Sequence, residues 1–322
     1  MNENFSVPIA MIFFNRPDTL QKVFEKVKEV KPSKLFLIQD GPRDNNMEDS
    51  QKIQECRQIV SQVDWDCKVY KNYSERNQGC GLRPSSGISW VFENVEEAIF
   101  LEDDCVPNKT FFPFCQEMLD RYRDDMRIGI VSGLNYFREY SFSDCSYGFV
   151  KSGAIWGWAT WRTRWQQYDY TMKAIKDGYI LDKLKKDILN SNFAQKRIQT
   201  WISAKSKIDN AENVSFWDYQ WGFIRHINSW LAIVPKYNQI SNIGIGINST
   251  HSGKQLKLLP KSIQQFFFMD TKELEFPLVH PTDRIPDRQY DLNYYRIIYP
   301  NLITRFLRIP EKFRIIYYKI KK

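Results

Sequence analysis

A chain of 322 residues with 43% hydrophobic and 26% charged residues has the balance of a soluble globular protein and enough apolar material for one large domain or two smaller ones. Its six cysteines, at 56, 67, 80, 105, 115 and 145, include no pair at the two-residue spacing of zinc or redox motifs, and they fit a reduced set of thiols. The net charge is +8, but residues 303–322 carry +6 of it, which speaks against a patterned nucleic-acid-binding lobe, and no apolar run reaches the length of a membrane span.

The opening MNENFSVPIAMIFFN has no basic segment ahead of its short apolar stretch, so a cytoplasmic location is expected. Residues 7–14 predict a strand, and 17–30 a helix with the apolar face Leu20, Val23, Phe24, Val27 and Val30 and with Pro17 in its first turn. A strand over 35–38, a helix over 47–63, a strand over 68–70 and, after a glycine-containing loop, a helix over 85–94 continue the alternation. The unbroken run Ala98, Ile99, Phe100, Leu101 reads as a buried strand, followed by a helix over 111–122 and a strand over 128–131. This β/α order predicts an α/β fold with a largely parallel sheet. Ligands bind such sheets beyond the carboxyl ends of the strands, where the loops 15–17, 39–42, 76–83 and 102–104 are expected to meet.

After about residue 145 the pattern changes. Residues 152–165 read SGAIWGWATWRTRW, four tryptophans within ten residues, followed by helical stretches over 181–189 and 193–208. A further helix, a strand and a Gly/Asn/Ser-rich loop over 239–253 come next. Ten Trp, seventeen Tyr and twenty-two Phe exceed what a core of this size requires; rings that stack on sugars and a bulky aromatic core are both open readings. With no internal repeat, one globular unit of two lobes is expected, 1–135 and 136–255, with a C-terminal extension over 256–322.

Chemistry concentrates in three places. Glu102, Asp103 and Asp104 follow the buried strand without a spacer; three like charges there repel and lose hydration, so a bound hard cation is the natural stabiliser, with a solvated turn as the plainer alternative. Asp218 lies between Trp217 and the pair Tyr219 and Trp221, where desolvation would make it a better general base than a surface Asp; an N-cap is the rival role. The loop over 239–253 holds Gly244, Gly246 and Gly253 with Asn242, Asn248, Ser249 and His251, a segment able to offer N–H groups and an imidazole to a diphosphate. The tail over 303–322 mixes seven basic residues with apolar ones, which suits either a peripheral contact with an anionic membrane or a final helix docked on its own domain.

The segments PIAMIFFNRP, LFLIQDGPRD, AIFLEDDCVP, FFPF, GAIWGWATW, SFWDYQW and IGINSTHSG occur in one order, and over residues 7–255 the chain resembles metal-dependent nucleotide-sugar glycosyltransferases of the GT-A fold, in the manner of bacterial relatives of N-acetylglucosaminyltransferase I. The resemblance implies Asp104 as ligand of Mn2+ or Mg2+ and Asp218 as catalytic base of an inverting transfer. It further implies donor binding by Phe14, Asn15 and Arg16, by Asp40 and Gly41, by Arg83, by Glu102 and Asp103, and by Trp156, Trp217, Ser249 and His251. The family's second acid after Asp218 is Tyr219 here, and the position of its histidine ahead of the acidic strand falls near Gly81. The implied partners are a nucleotide-sugar donor, with UDP the expected carrier, and a saccharide or lipid-linked saccharide acceptor, as in bacterial surface polysaccharide assembly at the inner face of the membrane. Two rivals stand beside this reading: a non-catalytic carbohydrate-binding protein, and a sugar-phosphate nucleotidyltransferase, whose Gly-rich loop after the first strand has no counterpart in FFNRPDTL.

Overall fold

The structure is a computed structural model that describes residues 5–44, 46–212, 214–245, 256 and 259–299. Strand β1 (Ile9–Phe13) is apolar and buried at every position, as a strand covered on both faces must be. It pairs in parallel with β2 (Lys34–Gln39) and with β4 (Glu97–Glu102), and β2 pairs in parallel with β3 (Lys68–Tyr73). Helices α1 (Pro17–Val30), α2 (Met47–Val60) and α3 (Gly79–Asn94) make the crossovers. Pro17 opens α1, where its missing N–H costs nothing, and Leu20, Val23, Phe24 and Val27 are buried as the periodicity requires.

The chain continues through β5 (Cys105–Pro107), α4 (Phe111–Tyr122), β6 (Ile128–Ser132), β7 (Tyr147–Val150), β8 (Trp158–Trp161) and α5 (Arg162–Trp165). Helices α6 (Gly178–Asp187), α7 (Ser191–Asp209) and α8 (Asp218–Ile227) follow, then β9 (Leu231–Pro235), β10 (Ile240–Asn242), α9 (Lys261–Gln264) and α10 (Arg288–Ile298). One sheet has the order β3-β2-β1-β4-β8-β6-β9-β7, and β10 pairs with β5 in a separate ribbon. The fold is α/β, as expected, with one core layer under α1, α2 and α4 and the other under α3, α7 and α8.

Two features depart from the sequence expectation. Strand β8 lies antiparallel between β4 and β6, and β7 lies antiparallel on β9, so only the β3-β2-β1-β4 half is wholly parallel. Second, α3 begins at Gly79 rather than 85, and β10 occupies part of the segment expected to be loop. Of the two readings left open for the aromatic surplus, these tryptophans follow the bulky core: Trp158 and Trp161 are fully buried in β8, Trp158 stacks on Trp217 at 5.8 Å, and Trp165 meets Trp221 at 5.1 Å. Part of the segment after 255 docks on the sheet, because Asp291 of α10 accepts hydrogen bonds from the N–H groups of Lys151 (3.0 Å) and Ser152 (2.9 Å). Among the described residues no helix is long and apolar enough to cross a membrane, and 303–322 lie outside them.

Candidate active site

The parallel half of the sheet brings the carboxyl ends of β1 to β4 to one edge. Asp103 sits there, 3% exposed, and its carboxylate accepts the N–H of Phe14 at 3.3 Å and Nε of Arg16 at 3.4 Å. Nη2 of Arg16 makes a short ion pair with Asp103 and lies 2.9 Å from Oδ2 of Asp104, while Nη1 reaches the Gly244 carbonyl at 3.4 Å. Burial works against the Arg16 charge, but Asp103 and Asp104 outweigh it and hold the guanidinium firmly protonated. Burial also pushes Asp103 upward, opposed by Arg16.

Asp104 is buried beside β10. Its Oδ1 accepts Nδ2 of Asn242 at 3.3 Å, and a Cβ on Gly244 would stand 1.8 Å from its Oδ2, so only glycine leaves this carboxylate room. Burial, then Asp104 and Asp103, push Glu102 up to about 8, with Arg16 pulling the other way and Asp218 adding to the rise. Asp218 is therefore within electrostatic reach of the end of β4. The sequence argument expected an external cation for the acidic triplet; the fold first supplies Arg16, from the turn between β1 and α1. Asp103 and Asp104 share that one guanidinium, and their charges, with that of Asp218, favour the protonated form of Glu102.

Asp218 arrives from the far side of the chain through a close backbone contact. A Cβ on Gly81 would stand 2.1 Å from the Val214 carbonyl oxygen, so the first turn of α3 seats the segment leading into α8. Asp218 is the first residue of α8, with Trp217 in the N-cap position, so the rival role of N-cap does not hold. Trp217 is buried and accepts the Tyr168 hydroxyl on its carbonyl at 3.2 Å. Trp156 is half-buried against Phe267, with ring centres 5.1 Å apart.

Other candidates at the edge are already engaged. Asp40 accepts the N–H groups of Gly41 (2.9 Å), Gln78 (2.8 Å) and Gly79 (2.9 Å); it caps the start of α3, and burial raises its carboxyl against those three bonds. A Cβ on Gly41 would stand 2.6 Å from the Arg76 backbone, so this glycine lets the two loops close on each other. Arg83 lies inside α3 rather than in the expected loop, where it donates to the Gln39 carbonyl at 3.1 Å and to Oδ1 of Asn72 at 2.9 Å. Asn15 donates to Asp49 at 2.7 Å. Ser249 and His251 lie outside the described residues.

The donor set suits a hard cation, since the carboxylates supply only oxygen ligands and outnumber the guanidinium. Among the described residues no three Asp, Glu, His or Cys side chains converge as a ready-made cage, so protein ligands alone would not fill an octahedral shell. Sequence reasoning missed Asn242 as the partner of Asp104 and missed Arg43 and Asp49 altogether; for the latter the signal was an acid in the first turn of a helix.

No family profile matches the chain, and no curated protein matches it. Among solved structures it is similar to the galactosyltransferase LgtC in complex with donor and acceptor sugar analogues, at a TM-score of 0.32 and 8% identity over 57% of this chain and 66% of that one. It is similar to HddC from Yersinia pseudotuberculosis at 0.27 and 10%, over 45% of this chain and 59% of that one. For a UDP-glucose pyrophosphorylase complexed with UDP-glucose the values are 0.36 and 8%, over 72% and 91%. The chain thus spans less than two thirds of the length of the first two structures.

Proposed function

We propose that the chain is a metal-dependent inverting glycosyltransferase that moves a sugar from a nucleotide diphosphate, with UDP the expected carrier, to a saccharide or lipid-linked saccharide. The observation that carries this reading is the crowding of acidic groups at the sheet edge: Asp103 and Asp104 share Arg16, and their charges, with that of Asp218 in electrostatic reach, hold the proton on Glu102. Asp104 would hold the cation, with Asp103 and Glu102 beside it, and the cation when bound would neutralise charge growing on the departing diphosphate. Arg16 clamps Asp103 and Asp104 so that both carboxylates keep fixed positions. Asp218 takes the proton from the attacking acceptor hydroxyl. Gly244 leaves the space in front of Asp104 that a larger residue would fill.

The carbohydrate-binding alternative loses its main support, because Trp158, Trp161, Trp165 and Trp217 are core residues rather than a sugar-gripping surface. A nucleotidyltransferase needs phosphate-cradling glycines after β1, where this chain has Phe14, Asn15 and Arg16.

Calorimetry with UDP and Mn2+, followed by a screen of nucleotide sugars for Mn2+-dependent hydrolysis, tests the reading. With the donor in hand, Asp218→Asn is expected to lower transfer by about 10²- to 10⁴-fold and to leave Mn2+-dependent nucleotide binding intact. Near-normal transfer by that variant would contradict the assignment.

A further inference from the structure

Beside Asp218 the molecule has a groove of about 490 Å3, within the range of small-ligand sites. One wall is a stripe of α7 at helical spacing, Lys196, Thr200 and Lys207 among it; the other is made by Phe216, Tyr219 and Tyr299. Phe216 and Tyr219 flank Trp217 and Asp218 in the chain, and their rings pack at 4.7 Å, so the groove begins within two residues of the proposed base.

Its charge is of one sign. No Asp or Glu lines it. The neighbouring residue of α7, Arg197, adds a positive charge that acts on Tyr219. Its Nε is buried without a hydrogen-bond partner, and its guanidinium lies 5.9 Å from the centre of the Trp201 ring. Lys196 and Lys207 stand roughly 16 Å apart along the helix axis at 1.5 Å per residue. Cations at both ends, hydroxyl-bearing residues between them and aromatic faces opposite suit an extended saccharide with several charges better than a single small anion.

We propose that this groove is the acceptor subsite and that it takes an anionic oligosaccharide, one carrying carboxylate or phosphate groups along its length. The assignment as acceptor rests on the transferase reading above, whereas the chemistry of the groove does not. Calorimetry on the full chain with three probes tests it: a galacturonic acid trisaccharide, the neutral galactose trisaccharide and glucose 1-phosphate. The uronate is expected to bind at least about tenfold more tightly than either other probe and to weaken with salt, and Lys196→Gln and Lys207→Gln are each expected to cost about tenfold, with unchanged melting temperature. Equal binding of the neutral trisaccharide, equal binding of glucose 1-phosphate, no uronate binding, or indifference to both substitutions would each overturn the proposal. UDP and Mn2+ titrated into the same protein read the transferase assignment separately, because no groove residue is at the strand edge. Uronate binding without nucleotide binding would keep the groove chemistry and end the acceptor role; the reverse would end the groove proposal alone.

Discussion

Two buried aspartate centres stand near the same strand edge, and each meets an arginine. At Asp49, 1% exposed, Arg43 donates through Nε and Nη2 at 2.7 Å each, its N–H donates at 3.1 Å, and Asn15 donates at 2.7 Å. One carboxylate has one full cation and two further donors, and Arg43 holds it below the ordinary carboxylate range against the pull of burial. At the end of β4 a single guanidinium serves Asp103 and Asp104, and the charges of Asp104, Asp103 and Asp218 add to burial in keeping the proton on Glu102. The first centre is electrostatically closed and is structural. The second is left with negative charge that a ligand must answer.

That contrast can be broken most forcefully at Arg16. Arg16→Ala leaves two buried carboxylates unpaired, and a loss on the order of 3 kcal/mol in denaturant unfolding is expected, partly restored by Mn2+ because a cation replaces the missing charge. A variant as stable as the parent would show that the edge does not need the guanidinium.

Asp49→Asn is expected to cost about 2 kcal/mol by the same measurement, since one of the two accepting oxygens becomes an amide donor that faces other donors and the charge pairing is lost. Here Mn2+ should restore nothing. Recovery on adding the ion would erase the distinction between the two centres.

Their pH dependences should run in opposite directions. The Asp49 carboxyl is held below its ordinary value of 3.8, so its contribution is complete above that value and is lost as pH falls through the folded value. Glu102 rises from 4.5 to about 8, so the native state keeps a proton that the unfolded chain releases, and stability is lost as pH rises across that window. In a chelating buffer the slope should approach about 1.4 kcal/mol per pH unit and disappear in Glu102→Gln. An unchanged slope in that variant would assign the effect elsewhere.

The smallest change in stability is expected for Asp104→Asn, within about 1 kcal/mol of the parent, because removing one of several crowded charges relieves repulsion while it weakens a pair. Mn2+-dependent nucleotide binding should nevertheless be lost. Retained binding would remove Asp104 from the proposed metal site.

How much of this was legible in the chain depends on range. The helix over Pro17–Val30 was readable because a period of 3.6 is written in neighbouring residues, and the acidic triplet after an apolar run marked the edge for the same reason. Strand β8 was not, because WATW is buried on both faces of the sheet and carries no alternation, and its tryptophans look the same whether they face a ligand or a core. Arg83 was misplaced because Asp40 caps α3 from 39 residues away, which starts the helix six residues early.

The sequence by itself determined which segments could be helix or strand and that an unspaced run of acids would end a core strand. Only the tertiary structure decided that Arg16 would reach Asp103 across 87 residues, that Gly244 would clear the face of Asp104, and that α7 would turn its lysines toward Tyr219. Patterns of burial repeat every two or four residues and leave their trace locally. Charge pairing and close backbone approach depend on which distant elements the packed sheet brings together, and no short stretch of sequence records that.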